Sequence, residues 1–267
     1  QPVHVAPWGI FISTPEVSNS KATVKILSTI NNNETAHRNL HLVTTIVSPN
    51  GKIAGHSQSI LTINAGASKT KEQNILLAAP DLWSVEIPSL YKAVTEIKEG
   101  DKVLDRVVTP FGVRSLSFTA QKGFLLNGKR VLLKGGCIHH DNGLLGAAAI
   151  DRAEVRKIEI MKKNGFNAIR LSHNPPSTQL LDACDRLGML VIDEAFDAWE
   201  KGKNSQDYHL YFKDWWKKDL DAMVLRDRNH PSIILWSIGN EIQERVDSSG
   251  LRIAKQLKDE VNKLDAS

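Results

Sequence analysis

Residues 226–241 read RDRNHPSIILWSIGNE, and this stretch combines a helix end, a buried strand and a polar turn. Pro231 has no amide proton and forces the residue before it out of helical geometry, so a helix must end here. The apolar run 233–236 does not alternate, which is typical of a parallel strand buried on both faces. Asn240 and Glu241 follow the carboxyl end of that strand, where α/β folds place their chemistry. The stretch therefore predicts an α/β fold with Glu241 as a candidate catalytic acid.

The composition is that of an ordinary globular protein. The chain has 267 residues, 41% of them hydrophobic, which is enough for one large or two ordinary domains. The net charge of +4 is spread along the chain without basic blocks, so no nucleic-acid partner is indicated. No apolar run approaches the ~18 residues of a membrane span. Cys137 and Cys184 are the only cysteines, and we expect both to be free.

The first part of the chain, residues 1–118, has the pattern of an all-β domain. Short β-rich runs are separated by turn residues, and no period of 3.6 is present. Asn50-Gly51 and Gly100-Asp101 supply hairpin turns. The β-rich runs are residues 22–30, 40–47, 60–63, 74–77, 91–97 and 103–109. The pattern predicts an immunoglobulin-like β-sandwich of about seven strands, and the lack of any catalytic motif indicates a structural role.

From residue 119 onward the pattern changes to alternating strands and helices. A helix should begin near Asp151, which has Glu154 three residues on, and another should run from Ser177 to Gly188. The strand–helix unit occurs four times, which predicts a parallel sheet with right-handed crossovers. No Gly-x-Gly-x-x-Gly follows a strand, which favours a (β/α)8 TIM barrel over a dinucleotide-binding sheet. Eight units need ~250 residues, so we expect residues 119–267 to form the N-terminal half of a barrel.

Polar residues follow each of the four predicted strands, and parallel strands should bring them to one mouth. The first strand ends at His139-His140-Asp141, the second at Arg170 to His173, the third at Asp193-Glu194 and the fourth at Asn240-Glu241. Two histidines with carboxylates could form a metal site. The same groups could equally line a sugar pocket, because hydroxyl groups need hydrogen-bond partners and glycosidic cleavage needs an acid. Residue types alone leave both interpretations open.

The 226–241 stretch resembles the signature around the acid/base glutamate in the β-galactosidase and β-glucuronidase family of glycoside hydrolases, known as family two. The Arg-Asp-Arg-Asn-His-Pro-Ser run, the Trp-Ser-x-Gly lead-in and the Asn-Glu pair all match. Further similar segments occur in the family's order. They are Leu82-Trp83, Phe111-Gly112-x-Arg114, Lys134-Gly135 followed by His139, residues 167–175, Cys184-Asp185-x-x-Gly188 and residues 191–194.

The resemblance implies a retaining, exo-acting β-glycosidase that hydrolyses O-glycosyl bonds of an oligosaccharide or glycoside, most closely a β-galactosidase. It implies that Glu241 is the general acid/base and that the substrate contacts are His139, Arg170, His173, Asp193 and Asn240. Asn240 would bond the 2-hydroxyl of the sugar, and Arg170 would support the base of the pocket. The family takes its nucleophile from the seventh barrel strand. We therefore expect the 267-residue chain alone to be inactive and to self-associate through its exposed half-barrel.

The chain also departs from the family pattern. Relatives with magnesium beside the acid read Asp-Glu-Ala-Asn-x-Glu-x-His, whereas Phe196, Ala198 and Glu200 stand at the last three defining positions, so we expect no metal or other cofactor. Cys137-Ile138 replaces a common Asn-Arg pair, which leaves the sugar open. The alternatives are a β-glucuronidase, a β-mannosidase or a noncatalytic carbohydrate-binding protein. Relatives of this kind imply a periplasmic or secreted setting. An aromatic rim formed by Phe196, Trp199 and loop 201–211 and ordinary packing are equally compatible with the sequence.

Overall fold

The computed structural model describes residues 1–266, which form two compact units, residues 1–131 and 132–266. The first unit is all-β and the second alternates strands and helices, so the predicted fold class, a β-sandwich followed by a TIM-barrel part, is confirmed. Among the described residues, no helix combines the length and the apolar character that crossing a membrane requires.

The first unit is a sandwich of two antiparallel sheets. One sheet has the order β1-β2-β5 and the other has the order β4-β3-β6-β7, which confirms the predicted count of about seven strands. The strands are β1 (Val3–Val17), β2 (Lys21–Asn32), β3 (Arg38–Val47), β4 (Ile53–Ile63), β5 (Ser68–Ala78), β6 (Tyr91–Glu99) and β7 (Lys102–Phe111). A small antiparallel sheet follows, formed by β8 (Leu116–Thr119), β9 (Gly123–Leu126) and β10 (Lys129–Arg130).

Alternating side chains from the two large sheets form the core of the sandwich. Val24 and Ile26 of β2 are completely buried, as are Ile46 of β3 and Ile97 of β6. Because successive residues of a strand point to opposite faces, this alternation of apolar and polar residues fixes which face each strand buries. Strand β1 has no clear counterpart in the sequence prediction, because two register shifts interrupt its alternation.

The second unit contains four parallel strands in the order β11-β12-β13-β14, so the predicted strand–helix alternation is confirmed. The elements are β11 (Gly135–Ile138), α1 (Asp151–Lys163), β12 (Ala168–Leu171), α2 (Thr178–Leu187), β13 (Leu190–Glu194), α3 (His209–Asp227), β14 (Ile233–Ser237) and α4 (Ser248–Leu264). Ile169, Val191 and Ile233 are aligned in register and are buried in one apolar cluster with side chains of α1 and α2.

The helix ends follow local sequence rules with one difference. Ser177 caps α2 by accepting a hydrogen bond from the Leu180 amide, and Gly188 ends the helix with a φ of 69°. The start of α1 differs from the capping box that its sequence suggests. Ile150 is the N-cap residue there, and no side chain caps the helix.

Candidate active site

Glu194, at the carboxyl end of β13, is the centre of a hydrogen-bond network. Its side chain has no exposed surface, and its Oε2 accepts hydrogen bonds from Arg170 Nε at 2.9 Å, Arg170 Nη2 at 2.6 Å and Ser237 Oγ at 2.5 Å. His173 Nδ1 forms a hydrogen bond of 2.6 Å with the other oxygen, Oε1. A buried carboxylate is costly unless it is paired, and this one has partners from β12, β14 and the loop after β12. It therefore ties three strand ends together.

Asn240 is held by both of its amide atoms. Its Oδ1 accepts a hydrogen bond of 3.0 Å from Arg170 Nη2, and its Nδ2 donates one of 2.8 Å to Asp197 Oδ1. Its backbone amide donates to the Phe196 carbonyl, and only 7% of the residue is exposed. The side-chain amide is therefore fixed in orientation, while one Nδ2 hydrogen is left for a further acceptor.

Glu241 follows Asn240 and presents its carboxylate at the surface of the unit. Its side chain is 76% exposed, and Lys203 Nζ lies 3.2 Å from Oε2. The backbone φ of Glu241 is 47°, in the left-handed region that residues other than glycine rarely adopt. Such a conformation costs about 1–3 kcal/mol, and strained residues of this kind cluster at functional sites. Glu241 is thus displayed by a local backbone conformation that the surrounding structure must maintain.

Lys203 lies between two carboxylates, because its Nζ is also 2.7 Å from Asp197 Oδ1. Partial burial by itself would lower the pKa of Lys203, but the hydrogen bonds and charges of Asp197 and Glu241 outweigh it and raise that pKa. Burial would also raise the pKa of Asp197, yet hydrogen bonds from Lys203 and Asn240 hold it below its usual value. The Lys203–Asp197 ion pair therefore stays charged at neutral pH.

The two histidines after β11 contact different neighbours. His139 packs edge to face on His173, with ring centroids 5.2 Å apart, whereas Nε2 of His140 lies 3.4 Å from the Asn174 amide. His139 and His173 thus lie beside the Glu194 network. Within residues 1–266, the only trio of side chains with metal-ligand spacing lies elsewhere and consists of Asp182, Asp185 and His230.

Asp193 does not join this group, although the sequence places it among the substrate contacts. It is completely buried and lies beside Asp227 of α3, because neighbouring residues of a strand point to opposite faces of the sheet. Burial, together with the negative charge of Asp227, raises the pKa of Asp193 well above its usual value. Its position on the helix-covered face disagrees with the predicted contact to sugar.

A magnesium ion does not fit beside Glu241 in this structure. Of the residues at the family's metal positions, Phe196 and Ala198 are buried and offer no oxygen, and Glu200 pairs with Arg252 at 3.2 Å. The ammonium group of Lys203 lies against the Glu241 carboxylate, where it would repel a metal ion.

The aromatic residues after β13 pack inside the unit. Phe196 and Trp199 are 4% and 5% exposed and belong to an apolar cluster with Phe212 of α3. The Trp199 indole donates a hydrogen bond of 2.8 Å to the Ile238 carbonyl. Of the two interpretations that the sequence left open, packing therefore describes these two side chains, and they support the segment that carries Asn240 and Glu241.

Three residues of the network are not among the site residues predicted from the sequence, although Glu194 is expected at the mouth with the other strand-end residues. Glu194 could have been chosen over Asp193, because Glu194 shares the alternation phase of Arg170 across the sheet. Asp197 and Lys203 lie in a loop without periodicity, and no pattern of the sequence places them beside Glu241.

Two family models match the chain. The one described as "Glycosyl hydrolases family 2" matches residues 3–114, and the one described as "Glycosyl hydrolases family 2, TIM barrel domain" matches residues 119–267. Among solved structures, a glycosyl hydrolase family 2 member from Bacteroides cellulosilyticus superposes with a TM-score of 0.97 at 48% identity, over 99% of this chain and 34% of that one. A β-glucuronidase from Bacteroides uniformis gives a TM-score of 0.87 at 29% identity, over 99% of this chain and 34% of that one.

Curated relatives carry two different activity names. The β-galactosidase BoGH2A of Bacteroides ovatus is 41% identical over 91% of this chain and 29% of its own length. A putative β-glucuronidase of Formosa agariphila is 39% identical over 96% of this chain and 24% of its own length. The chain thus spans less than a third of the length of these relatives. Since the family models cover both units of the structure, the chain belongs to glycosyl hydrolase family 2.

Proposed function

We propose that this chain carries the acid/base side of the active site of a retaining β-glycosidase, with a β-galactoside as the substrate. The observation that carries the proposal is the continuous hydrogen-bond network from Glu194 through Arg170 to Asn240. The residue after Asn240 is Glu241, whose carboxylate is exposed. Glycoside hydrolysis needs a carboxylic acid that can reach the leaving oxygen, and Glu241 is accessible enough for that task.

In the proposed mechanism Glu241 donates its proton to the glycosidic oxygen and later removes a proton from water. Asn240 uses its remaining Nδ2 hydrogen to bond the 2-hydroxyl, a contact that strengthens as the ring flattens toward the oxocarbenium ion. His139 and His173 contact the sugar from the β11 and β12 side. Glu194 is completely buried and already accepts four hydrogen bonds, which makes it a structural anchor and a poor nucleophile. The nucleophile is proposed to come from outside residues 1–267.

The preference for a β-galactoside rests on the relative with the printed name β-galactosidase, which is 41% identical. The second candidate is a β-glucuronidase, because the relative at 39% identity and the Bacteroides uniformis structure bear that name. A β-mannosidase and a noncatalytic carbohydrate-binding protein have no such support.

The proposal is tested by incubating the intact gene product that contains this chain with nitrophenyl β-galactoside, β-glucuronide and β-mannoside. Turnover of the galactoside well above the other two is the expected result, and preference for the glucuronide would select the second candidate. Proton NMR of the first-formed sugar should show the β-anomer, as retention requires. Sugar binding without turnover of any substrate would contradict the enzymatic function.

A further inference from the structure

Lys203 differs from the other lysine of its loop, Lys201, in the carboxylates that its ammonium group contacts. Its ammonium group bridges Asp197 and Glu241, and its side chain is 21% exposed. Its backbone is fixed as well, because the amides of Lys203 and Asn204 both donate to Asp207 Oδ2, at 2.6 Å and 2.8 Å. A lysine held at both backbone and ammonium loses much of the freedom that an exposed lysine keeps.

Lys201, on the same loop, provides the contrast. Its ammonium pairs with Asp247 at 2.5 Å, but its side chain is 48% exposed and Asp247 is 40% exposed. Exposed pairs of this kind contribute little, since water screens the attraction and the side chains lose entropy. Two lysines that are two residues apart therefore have different surroundings, and only Lys203 contacts the carboxylate of the proposed acid.

We propose that Lys203 is the positioning residue of Glu241 and that its ammonium group serves as the resident cation beside the acid, in place of a metal ion. The inference rests on the proposed glycosidase function. Asp197 anchors the ammonium and at the same time accepts a hydrogen bond from Asn240, so one carboxylate aligns both Asn240 and Lys203. The orientation of the 2-hydroxyl contact and that of the acid are thereby coupled through Asp197.

The chemistry of the proton transfer gives Lys203 a second effect. When Glu241 is protonated, its carbonyl oxygen accepts a hydrogen bond from the ammonium. When the proton moves to the glycosidic oxygen and the bond to the sugar breaks, Glu241 becomes a carboxylate and the contact becomes an ion pair. An ammonium group attracts a full negative charge more strongly than it attracts a neutral carbonyl oxygen, so the interaction grows as the reaction proceeds. An interaction that is stronger in the transition state than in the ground state raises kcat.

The test compares Lys203→Met, Lys203→Arg and the matched control Lys201→Met in the intact gene product. For substrates with poor leaving groups, Lys203→Met should lower kcat by up to about 10²-fold, because a misplaced acid has lost its alignment. The first step with activated nitrophenyl glycosides, measured by pre-steady-state kinetics, should lose much less, since their leaving groups need little protonation. Lys203→Arg should recover most of the loss, because it keeps the charge. Lys201→Met should leave kcat unchanged for both substrate types.

A second measurement follows the cation without using turnover. The parent protein and Glu241→Gln are each titrated with Mn²⁺ and monitored by electron paramagnetic resonance. The two titrations should be the same, because no Mn²⁺ should bind at Glu241 while Lys203 is present. Lys203→Met leaves the carboxylates of Asp197 and Glu241 without their shared counter-ion, so this variant should bind Mn²⁺ between them. The double variant Lys203→Met/Glu241→Gln should lose that binding again. These results support the assignment of the ammonium as the resident cation.

Two results would overturn the inference while leaving the proposed function intact. The first concerns the Lys203→Met variant of an active parent. The variant either keeps the parental rate with both poor and activated substrates, or loses rate equally with both and unfolds at a lower temperature. The second is Mn²⁺ binding by the parent that depends on Glu241. A parent that hydrolyses no glycoside would overturn the proposed function, and the positioning role would be rejected with it.

Discussion

The guanidinium group of Arg170 donates two hydrogen bonds to a single oxygen of the buried Glu194, from Nε at 2.9 Å and from Nη2 at 2.6 Å. The same Nη2 donates to Asn240 Oδ1 at 3.0 Å. Arg170 lies on β12, Glu194 on β13 and Asn240 after β14, so one side chain joins three consecutive strand ends. The planar fork of arginine makes this arrangement possible, because its donors point in fixed directions.

We expect Arg170→Lys to lower kcat/KM by about 10²-fold, because lysine keeps the charge but cannot hold Glu194 and Asn240 in one plane. Steady-state kinetics of the intact gene product measure the effect. Arg252→Lys is the control, since Arg252 and its partner Glu200 are 57% and 40% exposed and their pair should contribute little. Equal activity of the Arg170 variant and the parent would show that the fork does not align the site.

Glu241→Gln removes the ionisable proton while keeping the shape of the side chain. Hydrolysis of glycosides with poor leaving groups should fall by about 10²–10⁴-fold, the usual contribution of general acid catalysis. The first step with activated aryl glycosides should fall much less, because those leaving groups depart without protonation. Comparing the two substrate types in pre-steady-state and steady-state kinetics checks the prediction. A small and equal loss for both would contradict the assignment of Glu241 as the acid.

The fold is largely predictable from the sequence because the spacing of hydrophobic residues differs between its two halves. Alternation in runs such as residues 22–30 predicts strands with one buried face, and Ser177 and Gly188 mark a helix whose caps the structure contains. Strand β1 escapes the prediction because its register shifts break the period. Helix α1 begins at Asp151 as predicted, but its capping box is absent, because Glu154 accepts a hydrogen bond from Asn142 and does not serve as part of a cap.

The candidate site is predictable in part, for a similar reason. Residues at strand ends, such as Arg170 and Asn240, are brought together by the parallel sheet itself. The choice between Asp193 and Glu194 needs the phase of strand alternation, which places Glu194 on the Arg170 side. Lys203 reaches Glu241 from a loop whose path depends on tertiary contacts, including the hydrogen bond from the Lys201 amide to Glu244. Such contacts leave no periodic signal in a single sequence.

Asp193→Asn should alter the pH dependence of stability. The folded-state pKa of Asp193 is raised, so the stability that its bound proton provides is present below the unfolded pKa, ~3.9, and is lost as the pH rises through the folded value. Asparagine mimics the protonated acid and does not titrate. The unfolding temperature of the variant, relative to that of the parent, should therefore increase as the pH rises from about 4 to about 8. Asp259→Asn, at an exposed pair, is the control. A difference between Asp193→Asn and the parent that does not change with pH would refute this account.

The buried pair of His230 and Asp185 should affect the pH dependence of stability at a higher pH than Asp193 begins to. His230 Nδ1 lies 2.6 Å from Asp185 Oδ2, and the two side chains are 14% and 6% exposed. Burial alone would lower the pKa of His230, but the charge and hydrogen bond of Asp185, helped by the charges of Asp227 and Asp182, raise it. The stabilisation by the charged pair is thus complete below the unfolded pKa of histidine, ~6.5, and is lost as the pH rises through the higher folded value.

Asp185→Asn tests this window, because the asparagine side chain keeps an oxygen for the Ser232 amide, which now donates to Asp185 Oδ1 at 3.0 Å. Removing one partner of a buried pair costs about 3–5 kcal/mol, so the variant should unfold at a clearly lower temperature at pH values below ~6.5. The deficit should shrink at alkaline pH, where His230 is neutral in both proteins and the parent has lost the ion pair. Thermal unfolding followed by circular dichroism across this range gives the comparison. A deficit that stays constant or grows with pH would mean that His230 is not the charged partner of Asp185.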